Sequence, residues 1–213
     1  MTTFHIISLF PEAFKSFFSS SIIKRAQKNK LVGIKFYNPR DFTKDKYRTV
    51  DDKPYGGGPG MVMKIEPIIK AVNSIKSKSS KIILFSARGK QFNQKMARDW
   101  AKKYKDIVLI CGHYEGVDER VKKILRADEI SIGPYILSGG EAGAMVLVDA
   151  ISRHIPGVLG KIESLEEKKG SYPIFTRPEV YKWKGKKYSV PKILLSGDHK
   201  KISEWRRKYG KII

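Results

Sequence analysis

The sequence holds a single cysteine, Cys111. A lone thiol excludes an internal disulfide framework, and no His or acidic companions stand at ligand spacing beside it, so it marks no metal site. The compartment it implies is reducing. Long apolar runs are missing too: none approaches the roughly 18 residues that span a bilayer, so no membrane association is expected. The opening Met1-Thr2-Thr3-Phe4-His5-Ile6-Ile7-Ser8-Leu9-Phe10-Pro11 carries neither a basic leader nor a cleavage site, and a cytoplasmic protein is the expectation. Two phosphate-binding fingerprints are also absent. No stretch reads G-x-G-x-x-G between a strand and a helix, and none reads G-x-x-x-x-G-K-S/T, so a nicotinamide enzyme or an NTPase is unsupported.

Acidic side chains are scarce. Against 43 Lys and Arg stand 21 Asp and Glu, a formal charge of +22 at pH 7. Such a field attracts a polyanion and speeds its encounter, which makes nucleic acid the natural partner. Residues 154–213 carry 15 basic and 6 acidic side chains, so the tail is the more basic part per residue.

What is present reads as an α/β chain. Its 213 residues suit one large domain, or one domain with a smaller appendage. Apolar runs at 4–9, 32–37, 81–85, 107–111 and 129–132 read as strands. Helices are expected at 20–29, at 66–75 with Pro67 in the first turn, after the cap Asn93, at 118–125 and at 141–154. Alternating strands and helices mean a mainly parallel sheet. A long polar loop occupies 38–60. Periodicity fades from 155 to 192 into linker and loop, and one amphipathic helix fits 199–209. The Lys-rich patches 182–187 and 206–211 read as solvated or RNA-facing surface rather than as folding elements.

Three of the expected strands end in loops of one character: Ser86-Ala87-Arg88-Gly89, Gly112-His113-Tyr114-Glu115-Gly116 and Gly133-Pro134-Tyr135-Ile136-Leu137-Ser138-Gly139-Gly140. In a parallel sheet these lie at one edge, outside the carboxyl ends of the strands, where ligands bind and where glycine lets backbone approach them. That edge is the expected small-molecule site. Tyr55-Gly56-Gly57-Gly58-Pro59-Gly60-Met61 lies in the long loop instead, either as a tight turn or as a flexible wall that receives a bulky base.

Eleven strings, in order along nearly the whole chain, carry a specific resemblance. They are Ile7-Ser8-Leu9-Phe10-Pro11, Pro39-Arg40-Asp41-Phe42, Arg48-Thr49-Val50-Asp51-Asp52, Pro54-Tyr55-Gly56-Gly57-Gly58-Pro59-Gly60-Met61, Cys111-Gly112-His113-Tyr114-Glu115-Gly116, Asp118-Glu119-Arg120, Ser131-Ile132-Gly133, Leu137-Ser138-Gly139-Gly140-Glu141, Ile155-Pro156-Gly157-Val158-Leu159-Gly160, Thr176-Arg177-Pro178-Glu179-Val180 and Leu194-Leu195-Ser196-Gly197. Together they resemble the bacterial tRNA (guanine-N1)-methyltransferases, the TrmD family. The resemblance implies an α/β fold of the SPOUT class with a deep trefoil knot, an exception to the rule that chains avoid knots. It implies a knotted domain over 1–160, a linker over 161–175 and a small, mostly helical, truncated tRNA-binding domain over 176–213. It implies a homodimer with shared sites, S-adenosylmethionine as methyl donor, and methylation of N1 of the guanosine just 3′ of the anticodon (position 37) in tRNA.

Carried over residue by residue, the resemblance assigns the cofactor to Gly112, Ile132, Gly133, Pro134, Tyr135, Ile136 and Leu137. Pro134 stands where the family usually has aspartate. Arg153 matches the family arginine that stabilises charge on guanine O6, a task suited to a planar, always-charged donor. The family's proton acceptor is an aspartate in an Asp-Ser-Phe string that this sequence lacks between Gly160 and Thr176. Ungapped alignment puts Lys168 there, and the shortened linker leaves Glu167, or failing that Glu166, to take the role. The family reaction is linked to Mg²⁺, for which Glu115 is a neighbour, although a lone carboxylate makes no metal site. A chain of this fold that binds RNA with impaired catalysis is the alternative reading, and the missing string is its support.

Overall fold

All six residues of β1 (Thr2–Ile7) are buried. A strand buried on both faces belongs to a parallel sheet covered by helices on each side. In the computed structural model, which describes residues 1–77, 79–160 and 171–210, β1 lies between β2 (Val32–Tyr37) and β6 (Asp106–Ile110). Beyond β6 come β5 (Ser80–Gln91) and β7 (Asp128–Ser131), giving the order β2-β1-β6-β5-β7 with every pair parallel. Two short strands, β3 (Asp51–Asp52) and β4 (Val62–Met63), pair antiparallel apart from it. The expected mainly parallel α/β sheet is present.

Side-chain alternation along β6 separates two cores. Ile107 and Leu109 join a cluster with residues of α2 (Ser21–Lys28), α4 (Gln94–Lys103) and α6 (Glu141–Ser152). Val108 and Ile110 face α3 (Ile65–Asn73) and α5 (Glu119–Leu125). A period of two sends neighbours to opposite faces, so one strand seeds both helical layers. The short α1 (Lys15–Phe18) precedes α2 and stacks Phe18 on Phe14.

Local chemistry explains the helix starts. Asn93 accepts a hydrogen bond from Met96 N–H at 3.0 Å and opens α4; Asp118 accepts from Arg120 N–H at 2.9 Å and opens α5. Each cap satisfies a backbone donor that has no partner inside the helix. Among the described residues no helix is long and apolar enough to cross a membrane.

Two expectations are corrected. Residues 86–89 do not form a loop that ends β5: Phe85 and Lys90 both register with Ile130, so the four residues between bulge out and the strand resumes to Gln91. Gly89 makes this geometry possible, since a Cβ there would stand 2.6 Å from backbone atoms of Glu129 and Ile130. The Lys-rich patch 182–187 is a folding element after all, the hairpin of β8 (Val180–Trp183) and β9 (Lys186–Ser189). Its turn residues, Lys184 and Gly185, take φ of 45° and 75°, the conformation a two-residue hairpin demands.

The chain divides into two compact units, Met1–Leu159 and Gly160–Ile213. The second holds the hairpin, α7 (Lys192–Leu195) and α8 (His199–Tyr209), the latter capped by Asp198 accepting from Lys201 N–H at 3.1 Å. Within this unit Trp205 packs beside Phe175 and Tyr209.

Candidate active site

The carboxyl ends of β6 and β7 release loops that meet the bulge of β5, their common neighbour. Between them lies a cavity of about 510 Å³, lined by Leu84 to Arg88, Gly112 to Val117, Glu129 to Ile132, Tyr135 to Gly140, and Gly143. All three glycine-bearing segments expected at this edge contribute. Gly140 N–H donates to Gly112 C=O at 3.0 Å, which ties the loop after β7 onto the loop after β6.

Of the seven residues assigned to the cofactor, Gly112, Ile132, Tyr135, Ile136 and Leu137 line the cavity. Gly133 and Pro134 do not; they form the turn between. That turn is held by Ser131, whose Oγ donates to Gly133 C=O at 2.9 Å and accepts from Gly133 N–H at 3.3 Å, and by the Tyr135 hydroxyl donating to Ile132 C=O at 3.2 Å. Tyr135 thereby folds back over Gly133, where a Cβ would collide with its ring. Neither Gly133 nor Gly140 takes a positive φ. Close approach, not left-handed backbone, is what requires glycine at these two positions.

One wall of the cavity is ionic. Glu129 accepts from Lys122 Nζ at 2.6 Å and from Arg88 Nε at 3.0 Å, and Arg88 also pairs with Glu119. Burial pushes the Glu129 carboxyl up, but hydrogen bonds from Lys122, Ser86 and Arg88 and the Arg88 charge outweigh it and hold it at about 2. Arg88 is thus committed to carboxylates, and among the described residues that line the cavity it is the one lysine or arginine. Burial and then the nearby Glu141 carboxylate push the Cys111 thiol up, so it stays protonated and is no nucleophile.

The opposite side is built from the loop Gly112 to Gly116. His113 meets the rings of Phe10 and Tyr114 edge-on, each at 5.0 Å, and its buried Nδ1 has no hydrogen-bond partner. Glu115 N–H donates to Met61 C=O at 3.0 Å, and a Cβ on Gly60 would run into the Glu115 side chain. The end of the Tyr55 to Met61 segment therefore abuts a cavity residue, while Gly56, Gly57 and Gly58 stand in open space at positive φ. The turns that need glycine are there, and the Met61 end of the segment lies beside the cavity loop.

Arg153 is not in this cavity. It caps the C-terminal end of α6, whereas Gly140 and Gly143 bring the N-terminal end to the cavity. At 1.5 Å per residue the two ends stand roughly 18 Å apart. Glu166 and Glu167 lie outside the described residues. Among the described residues no three His, Cys, Asp or Glu side chains gather where they could hold a metal ion.

Sequence reasoning missed Phe85 and Gly143. A glycine inside a helix costs roughly 0.5–1 kcal/mol, so Gly143 was itself a signal of close approach. A Cβ there would stand 2.8 Å from the Phe85 ring.

A family profile described as tRNA (Guanine-1)-methyltransferase TrmD matches residues 2–212. The chain belongs to the TrmD family. Relatives named tRNA (guanine-N(1)-)-methyltransferase include one from Dictyoglomus turgidum, 55% identical over 98% of this chain and 84% of its own length. Another, from Carboxydothermus hydrogenoformans, is 50% identical over 95% of this chain and 80% of its own. A third, from Clostridioides difficile, is 47% identical over 96% and 90%. The cavity of this TrmD-family chain has the build of a small-ligand site. Its volume falls in the range of small-ligand sites, its walls are backbone-rich loops with apolar Ile132, Ile136 and Leu137, and its one arginine is already paired.

Proposed function

We propose that this chain transfers a methyl group from S-adenosylmethionine to N1 of the guanosine 3′ of the anticodon in tRNA. The observation that carries the reading is the meeting of the 112–116 and 133–140 loops around one cavity, in a member of a methyltransferase family. When bound, S-adenosylmethionine supplies an electrophilic sulfonium methyl. Gly112, Ile132, Tyr135, Ile136 and Leu137 hold it, and the turn at Gly133 and Pro134 sets the wall. In this reading the chain threads the trefoil knot of the SPOUT class, with the Gly140 to Gly112 hydrogen bond fastening its two loops.

What remains for the protein is to align guanine and manage its proton. Glu167, or Glu166 in its place, accepts the N1 proton, and the Arg153 guanidinium faces the negative charge that develops on O6. Arg153 stands too far along α6 to serve its own chain's cavity. A second copy supplies it, so the site is shared in a homodimer. The basic surface grips tRNA, and the protein works in the cytoplasm. Glu115 alone does not make a magnesium site, and no step here passes through Mg²⁺.

Incubating tRNA with the protein and methyl-labelled S-adenosylmethionine, then digesting to nucleosides for mass analysis, tests the proposal. One-methylguanosine next to the anticodon is expected; tRNA of unchanged mass would overturn it.

A further inference from the structure

The β8–β9 hairpin presents an aromatic face that meets no other ring among the described residues. Its register sets Tyr181 opposite Tyr188 and Trp183 opposite Lys186, which puts the three aromatic side chains and Lys186 on one side. All three rings are more than half exposed, at 55–56%. Lys182 and Lys187 pair on the other side, and Lys184 at the turn reaches to 5.9 Å from the Trp183 ring. No carboxylate occurs between Glu179 and Asp198.

That combination selects among occupants. A protein partner seated on the three rings would also have to cover Lys186, which stands beside Trp183 at the turn end of the face, and lysine is depleted from interface cores because its ammonium is strongly hydrated. The same hairpin of a second copy would set lysines against lysines, with no carboxylate from 180 to 197 to meet them. Unpaired nucleotides satisfy both features, since bases stack on aromatic faces and phosphates meet lysines. Alternate residues on one strand stand about 6.7 Å apart, which spaces Tyr181 and Trp183 for separate bases.

The geometry points to a stacking platform for unpaired nucleotides on this hairpin. Tyr181, Trp183 and Tyr188 receive base faces, and the lysines around them meet the backbone. The platform rests on the reading of the chain as an enzyme acting on tRNA, and it adds a contact to single-stranded segments.

The test uses the full chain and two RNA probes of equal phosphate count, a stem-loop with an open anticodon loop and a fully paired duplex. Trp183→Ala is expected to weaken stem-loop binding about 5- to 100-fold and leave duplex binding unchanged. Trp183→Phe should recover most of the loss, and Tyr188→Leu, which keeps apolar bulk in the strand, should reproduce it. Equal weakening toward both probes, or none toward either, would overturn the platform, as would a Trp183→Ala protein that elutes as a smaller assembly. A wild type that methylates tRNA while the variants bind the stem-loop undiminished would sink the platform alone. A wild type that binds neither probe would sink the enzyme reading with it.

Discussion

Gly140 lies against Cys111 so closely that a Cβ on it would stand 2.6 Å from the Cys111 Cα and 3.2 Å from Gly112 N. Backbone cannot step aside as the end of a side chain can. Gly140→Ala should therefore push the two cavity loops apart, costing about 1–3 kcal/mol of stability and weakening S-adenosylmethionine binding. The nearest atoms a Cβ at Gly133 would meet belong to the half-exposed ring of Tyr135, which can swing outward, so the melting temperature of Gly133→Ala should stay nearer the wild type. Thermal melts with calorimetric titration of both variants decide this; wild-type affinity in Gly140→Ala would show that the loops tolerate separation.

Glu129 ties stability to acid pH. Its carboxyl is held at about 2, below the ordinary 4.5, so the folded state favours the ionised form. The stabilisation is complete above the unfolded value and is lost as pH falls through the folded one, between about pH 5 and pH 2. It amounts to something on the order of 3 kcal/mol. Urea melts should show Glu129→Gln less stable than wild type at pH 7, with the gap closing toward pH 2. A gap independent of pH would mean that packing, not charge, is what Glu129 provides.

Ser152 is fully buried in α6, and its Oγ has no hydrogen-bond partner. Burying an unpaired hydroxyl costs about 1–3 kcal/mol. Ser152→Ala should then be neutral or stabilising, an unusual result for a core position. A melting temperature lowered by several degrees would reveal a partner for this hydroxyl.

A site shared between two copies, as proposed, predicts complementation. Arg153→Ala should cut turnover by about 10² or more, and Ile132→Trp should block the cavity. Co-expressed, the two chains form mixed dimers in which one site has a sound cavity and a sound arginine, restoring about a quarter of wild-type activity. If both functions came from one chain, no activity would return.

Glu167→Gln should lower turnover by roughly 10² to 10⁴ with S-adenosylmethionine binding intact, the loss expected for a general base; Glu166→Gln is the second variant. Wild-type rates in both would place the proton acceptor elsewhere.

Much of the first unit was legible because its signals are local. Buried strands read as apolar runs, Asn93 and Asp118 announced helix starts, and the glycine-bearing segments marked the sheet edge that holds the cavity. The hairpin escaped because its alternation, Tyr181-Lys182-Trp183, is only three residues long and sits in a lysine-rich stretch that reads first as charge. Lys184-Gly185 was the only clue to its turn.

The alternation of strands and helices, the caps and the glycine loops were determined by the sequence itself, since each depends on residues a few positions apart. Strand order, the bulge of β5 around Ile130, the reason for glycine at 133 and 140, and the distance of Arg153 from its own chain's cavity were decided only by the tertiary structure. Each depends on atoms brought together from distant parts of the chain, as when Gly140 comes to rest on Cys111. Periodicity records which way a side chain faces; it does not record which backbone that side chain will meet.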